Sequence, residues 1–167
     1  MTRTAAREIA VRLVYSLALT GHEPETVLDD FFEDGHFTTL GGEDELFSVP
    51  PDKRQMAYIR QVVGLCAAHR EELCGYIAKY AKGWKPERIS KTASAILSCA
   101  LCEILYMEDV PDSAAINEAV ELAKRYEEPD TVTFVNGVLG GFMRGETGAD
   151  DSVPEADAAP AGLSGTE

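Results

Sequence analysis

The fold of this protein is indicated most clearly by residues 114–143, AAINEAVELAKRYEEPDTVTFVNGVLGGFM. Their apolar side chains recur at steps of three and four, the spacing that lines one face of an α-helix. Pro129 and Asp130 interrupt this pattern. Because proline has no backbone N–H to donate, it does not continue the hydrogen bonding of the helix before it. The stretch therefore predicts two packed helices joined by a short turn.

The same helical spacing extends upstream. Residues 85–111 contain the most apolar segment, which we expect to form the central helix of its bundle, and Asp112 or Ser113 is expected to cap the helix that follows. No segment shows sustained two-residue alternation, so we predict an all-α helical bundle without a sheet. The other predicted helices cover about residues 4–20, residues 24–34, and residues 53–83 as one long helix or two joined near Ala68.

Charge is distributed unevenly along the chain, whose formal net charge is −14. Ten of its 29 acidic residues lie in residues 23–52 and six in residues 145–167, and neither segment contains Lys or Arg. The remaining body has 13 acids against 15 bases, a net charge of +2. The acidic total therefore does not exclude a local basic patch.

Composition also predicts the domain organisation. We expect one all-helical domain over residues 1–144, with an acidic loop at about residues 35–52 that is rich in glycine and proline. Residues 145–167 have only Val153 and Leu163 as large apolar side chains. They cannot bury enough apolar surface to offset the entropy of ordering, so we predict a disordered acidic tail.

No apolar run approaches the roughly 20 residues of a membrane-spanning helix. Charges at Arg3, Arg7, Glu8 and Arg12 interrupt the N-terminal stretch, whereas a signal peptide needs an unbroken apolar centre. We therefore expect a cytoplasmic protein without a membrane partner.

Catalytic and metal-binding patterns are weak. Cys99 and Cys102 form a CxxC, but inside an apolar helical run and without further ligands at suitable spacing, so we expect them in the core. His22, His36 and His69 have no nucleophile or carboxylate at a suggestive spacing. There is no glycine-rich phosphate-binding motif either. We predict that the protein is not an enzyme and holds no metal or cofactor.

The N-terminal helix offers a different chemistry. At about 100° per residue, Arg3 and Arg7 lie about 40° apart, and Tyr15 lies about 80° from Arg7. Guanidinium groups neutralise phosphates and aromatic rings stack on bases, which is how single-stranded RNA is often bound. The alternative is a solvated helix face with a half-buried tyrosine.

Three stretches of the chain share motifs with known proteins. INEAVELAKRY (residues 116–126), followed by FVNGVLGG (residues 134–141), resembles the C-terminal signature of the NusB family of transcription antitermination factors. RISKTASAILSCALCEILYMEDVP resembles its preceding helix and AAREIAVRLVYSL its first helix, and Trp84 stands where many members have a tryptophan. The resemblance covers about residues 3–143, apart from residues 20–52.

The resemblance implies an all-α fold of two three-helix-type subdomains. It also implies a partner, ribosomal protein NusE, and a ligand, the single-stranded boxA RNA of ribosomal RNA leaders, bound within an RNA polymerase antitermination complex that reads through terminators. By the same resemblance, the residues that contact RNA are Arg3, Arg7, Tyr15, Tyr126, Asp130 and Phe134.

Other interpretations stay open at this point. Asp130 is also a candidate for capping the last helix, and Tyr126 and Phe134 for packing in the core. The sequence departs from the family at Thr4 and Ala5, where some members have bases, and at Ser90, where some have an acid facing NusE. The alternative function is a helical protein–protein interaction module with little RNA affinity.

Three residues of the opening stretch are expected to be architectural. A buried asparagine needs hydrogen-bond partners, so we expect Asn117 and Asn136 to connect neighbouring helices or loop backbone. Gly137 is expected to let two helices approach closely.

Overall fold

The computed structural model describes residues 1–33 and 36–148, and every regular element in them is helical. The chain divides into two compact units, Met1–Arg70 and Glu71–Glu167. Both findings confirm the predicted all-α fold. In chain order the α-helices are α1 (Arg3–Thr20), α2 (Pro24–Phe32), α3 (His36–Glu43), α4 (Lys53–Ala68), α5 (Arg70–Tyr80), α6 (Lys91–Tyr106), α7 (Asp112–Tyr126) and α8 (Pro129–Phe142).

In the first unit, α1 packs against α4 and α2. Thr2 caps α1 by accepting a hydrogen bond from the Ala5 amide, and Gly21 ends the helix at φ 71°, a conformation that favours glycine. Asp52 caps α4 in the same way. Because α4 ends at Ala68 and α5 begins at Arg70, the prediction of two helices rather than one is the correct alternative.

The predicted loop at residues 35–52 is partly wrong, because α3 and a short 3-10 turn, Glu45–Phe47, lie within it. No residue of α3 is buried, which is why hydrophobic spacing did not reveal it. Its position instead follows from an aromatic cluster, in which Phe37 lies 6.3 Å from Phe31 and 6.4 Å from Phe47 between ring centroids. Aromatic contacts with α2 and with the 3-10 turn thus stabilise a helix of low intrinsic propensity.

In the second unit, α6 packs against both α7 and α8 and is the most buried helix, as predicted. Ser90 caps it by accepting a hydrogen bond from the Ala93 amide at 3.0 Å. Cys99 and Cys102 are buried on its inner side. They therefore contribute to the core as small apolar side chains.

The boundaries of α7 and α8 differ slightly from the prediction. Pro111 precedes α7, so Asp112 is its first helical residue and neither it nor Ser113 is the cap. Similarly, Pro129 is the first residue of α8, and Asp130 lies in its first turn rather than at the cap. A carboxylate there still interacts favourably with the exposed amides of the helix start.

Helical structure continues past the predicted domain end at residue 144. A π-helical turn, Met143–Thr147, follows α8 and ends at Gly148, whose φ is 75°. Residues 145–147, which were predicted to belong to the tail, are therefore helical. The rest of the predicted tail, residues 149–167, lies outside the described residues. No described helix is long and apolar enough to cross a membrane.

Candidate nucleic-acid interface

Arg3 and Arg7, the two arginines singled out in α1, converge on one aromatic ring of α4. The Arg3 Cζ lies 4.2 Å from the centroid of the Tyr58 ring, and the Arg7 Cζ lies 5.9 Å from it. Arg3 also donates a hydrogen bond from Nε to Gln55 Oε1 at 2.7 Å. Both arginine side chains are half-buried, so their charged ends are held at the surface by packing between the two helices.

Sequence reasoning missed Gln55 and Tyr58, which are 9% and 3% exposed. A signal for them exists, because Gln55 falls on the same inward stripe of α4 as Ile59 and Val62. A glutamine on a buried stripe must find a hydrogen-bond partner. Nothing in the local pattern names Arg3 as that partner, since 52 residues separate the two.

Two further bases lie at the start of α4. Lys53 and Arg54 are its first residues and are both exposed. They directly precede Gln55, which is bonded to Arg3, so the starts of α1 and α4 meet at this bond. Together these two helix starts carry four bases, Arg3, Arg7, Lys53 and Arg54, which we call the basic patch.

Arg12, also on α1, serves the fold instead. Its Nη2 lies 3.3 Å from Oε2 of Glu8, a fully buried carboxylate, and its Cζ lies 4.8 Å from the Phe47 ring. A buried carboxylate needs such a charged partner to offset its lost hydration. Arg12 is thus not part of the basic patch.

Tyr15 is half-buried on α1, as the sequence allowed. It follows Arg7 by eight residues, which corresponds to about 12 Å along the helix axis. Tyr15 therefore lies more than two helical turns along α1 from Arg7.

The other predicted RNA contacts belong to the second unit, and they differ in exposure. Tyr126 is 42% exposed, with the Arg125 Cζ 5.7 Å from its ring centroid, and Asp130 is exposed at the start of α8. Phe134 is only 5% exposed and lies 4.5 Å from Trp84 between ring centroids. Of the three side chains, Phe134 has the core-packing role considered above.

An open groove of about 830 Å³ runs along this side of α8. Trp84, Phe134 and Val138 supply its apolar lining, while Lys82 and Arg144 supply positive charge. Asp130 is the acidic residue of the lining.

The architectural predictions for the opening stretch are mostly wrong. Asn117 is exposed, because the apolar stripe of Ala115, Ile116 and Ala119 leaves it on the outer side of α7. Asn136 is half-buried. At Gly137 an added β-carbon would meet no atom within 4 Å, so no close helix approach occurs there.

Close approach occurs instead at Gly141 and Gly145, where the Tyr80 ring lies against the helix. A β-carbon on Gly141 would lie 3.1 Å from Tyr80 Cδ1, and one on Gly145 would lie 2.9 Å from Tyr80 Cζ. Tyr80 also donates a hydrogen bond to Glu146, which pairs with Lys79. The bonds from Lys79 and then Tyr80 hold the pKa of the Glu146 carboxyl below its ordinary value.

No group of three or more His, Cys, Asp or Glu side chains suited to a metal ion occurs in residues 1–33 and 36–148. The described structure is thus that of an all-α protein with two helical units, a basic patch in the first and an aromatic groove in the second.

Comparison with known proteins identifies the family. The NusB family model matches residues 4–144. "Transcription antitermination protein NusB" of Symbiobacterium thermophilum is 38% identical over 158 residues, which cover 92% of this chain and 98% of that protein. The Acetivibrio thermocellus protein of the same name is 38% identical over 86% of this chain and 90% of its own length.

Two solved structures share the fold. T. maritima NusB superimposes with a TM-score of 0.68 at 22% identity, covering 94% of this chain and 96% of that one. NusB from Aquifex aeolicus gives a TM-score of 0.60 at 21% identity, covering 99% and 92%. The chain belongs to the NusB family of transcription antitermination factors. That family is not enzymatic, in agreement with the prediction from the sequence.

Proposed function

We propose that this protein binds boxA-type single-stranded RNA of ribosomal RNA leaders together with ribosomal protein NusE. In this role it joins the RNA polymerase antitermination complex and promotes transcription through terminators. Family membership supports the role in antitermination. Since transcription in bacteria takes place in the cytoplasm, the proposal locates the protein there.

The observation that carries the RNA part of the proposal is the convergence of Arg3 and Arg7 on Tyr58. Two guanidinium groups held at one surface can contact successive phosphates, and Lys53 and Arg54 extend the positive charge. The half-exposed Tyr15 and the exposed Tyr126 offer rings on which bases can stack.

Phe134 and Asp130 take more limited roles in this proposal. Since Phe134 packs on Trp84 and is only 5% exposed, it supports the wall of the groove and leaves little of its surface for RNA. Asp130 is exposed and could accept hydrogen bonds from base amino groups.

For NusE we propose a contact near Ser90, where some family members have an acid. Glu127 supplies a carboxylate beside that position, because its Oε2 accepts a hydrogen bond from Ser90 Oγ at 3.1 Å. A carboxylate at the surface suits a basic partner such as a ribosomal protein.

The decisive experiment titrates boxA and scrambled RNA with the protein, alone and with NusE, at two salt concentrations. The proposal expects binding that prefers boxA, strengthens with NusE and weakens with salt. With four bases in the patch, the slope of log K against log salt should be roughly −2 to −3. Absence of RNA binding in every combination, with NusE binding retained, would instead favour the protein–protein interaction module.

A further inference from the structure

We propose that Gln55 and Tyr58 are positioning residues for RNA binding, which act by presenting the guanidinium groups of Arg3 and Arg7. This inference rests on the proposed function and deepens it. It assigns a role in RNA recognition to two side chains of α4 that are themselves almost inaccessible to RNA.

The geometry separates the held part of Arg3 from its presented part. Gln55 Oε1 accepts a hydrogen bond from Arg3 Nε. The Tyr58 ring lies over one side of the guanidinium group, with its centroid 4.2 Å from Arg3 Cζ. Within residues 1–33 and 36–148, Nε is the only Arg3 donor that bonds to a protein acceptor. The four remaining N–H donors, on Nη1 and Nη2, stay available for phosphate oxygens.

Holding an arginine in this way improves binding by lowering its cost. A free arginine side chain has many rotamers, and phosphate binding must restrict them. Contacts with Gln55 and Tyr58 impose that restriction before RNA arrives. Tyr58 does so for two arginines at once, since the Arg7 Cζ lies 5.9 Å from the same ring.

The choice of side chains fits this role better than packing alone. An apolar residue would fill the stripe of α4 at Gln55 without needing a hydrogen-bond partner. The amide is therefore explained by the donor it binds, Arg3 Nε. An aromatic ring attracts a guanidinium through its face, which an aliphatic side chain of similar size cannot do.

The test is a double-mutant cycle on boxA RNA binding, measured by fluorescence anisotropy at several salt concentrations. Arg3→Ala should weaken binding about fivefold at 0.1 M salt and flatten the salt slope by about 0.7, the contribution of one phosphate contact on a single strand. Tyr58→Leu should weaken binding at least as much, and Tyr58→Phe, which keeps the ring, should bind like the unmodified protein. In the Arg3→Ala, Arg7→Ala background, Tyr58→Leu should have no further effect.

Controls separate positioning from folding. Gln55→Met removes only the Arg3 bond. It should weaken binding, though by less than Arg3→Ala, which also removes the charge, and circular dichroism should be unchanged. Arg60→Ala removes an exposed charge of α4 that pairs with Glu25, and it should leave the affinity nearly unchanged.

The possible failures are distinguishable. If the unmodified protein binds boxA and folded Tyr58→Leu and Gln55→Met bind equally well, the inference is overturned while the proposed function stands. A further loss of affinity from Tyr58→Leu in the Arg3→Ala, Arg7→Ala background would also overturn the inference, because the Tyr58 ring would then affect RNA binding without these two arginines. If the unmodified protein binds no RNA, both the proposed function and this inference fall.

Discussion

Tyr80 and Glu146, 66 residues apart in sequence, are joined by a hydrogen bond of 2.5 Å from the phenolic hydroxyl to Oε2. Lys79 Nζ contacts the same oxygen at 2.6 Å. These two bonds connect the final π-helical turn, Met143–Thr147, to the end of α5. They explain why helical structure continues to Thr147, past residue 144, where composition alone predicts the domain to end.

Replacing Glu146 with Gln should loosen this terminal turn in a pH-dependent way. The pKa of the Glu146 carboxyl lies below its ordinary 4.5 in the folded state, because Lys79 and Tyr80 bond to the charged form. Its stabilising contribution is therefore fully present above the unfolded-state pKa and is lost as pH falls through the folded-state pKa. Amide hydrogen exchange in residues 143–147 should be faster in Glu146→Gln than in the unmodified protein at pH 7, and the difference should shrink towards pH 3. A pH-independent difference would contradict this account.

Two glycines of the last helical segment should respond oppositely to alanine. Gly137→Ala should raise the free energy of unfolding by about 0.5–1 kcal/mol, because alanine favours the helix and the space is open. Gly145→Ala should lower it, because the new methyl would displace the Tyr80 ring. Urea denaturation of the two variants provides a matched comparison. Equal shifts of the same sign would refute the proposed role of Tyr80.

Arg7→Ala should weaken boxA binding about fivefold at 0.1 M salt. Stability should fall by no more than about 1 kcal/mol, the value of a partly exposed contact between a cation and an aromatic ring. Anisotropy titration and thermal unfolding measure the two quantities. A large loss of stability would mean that Arg7 serves the fold, as Arg12 does.

Glu127→Gln should weaken NusE binding about twofold to fivefold at low salt, as expected for a partly exposed charge. The cap of α6 should persist, because Ser90 Oγ still accepts from the Ala93 amide. Glu121→Gln removes the same charge from an exposed position on α7 and is the matched control. Calorimetric titration with NusE would contradict the proposed contact if both variants bound alike.

Apolar spacing was a reliable guide wherever a helix buries one face. It predicted α6 and α7 because their buried apolar side chains, such as Leu101 in α6 and Ile116 in α7, belong to rows that repeat every three or four residues. It failed at α3, which buries no residue and depends on Phe37 meeting the rings of Phe31 and Phe47. It was also misapplied at Asn117, which directly follows the inward Ile116 and so lies on the outer face.

By itself, the sequence determined the all-α fold, the family and the arginines of α1, because helical periodicity and signature motifs are local properties of the chain. Only the tertiary structure decided which arginine does what. Arg12 turns to the buried Glu8, whereas Arg3 is held by Gln55 and Tyr58. Such pairings depend on which helices meet, and contacts across 52 residues leave no mark in local spacing.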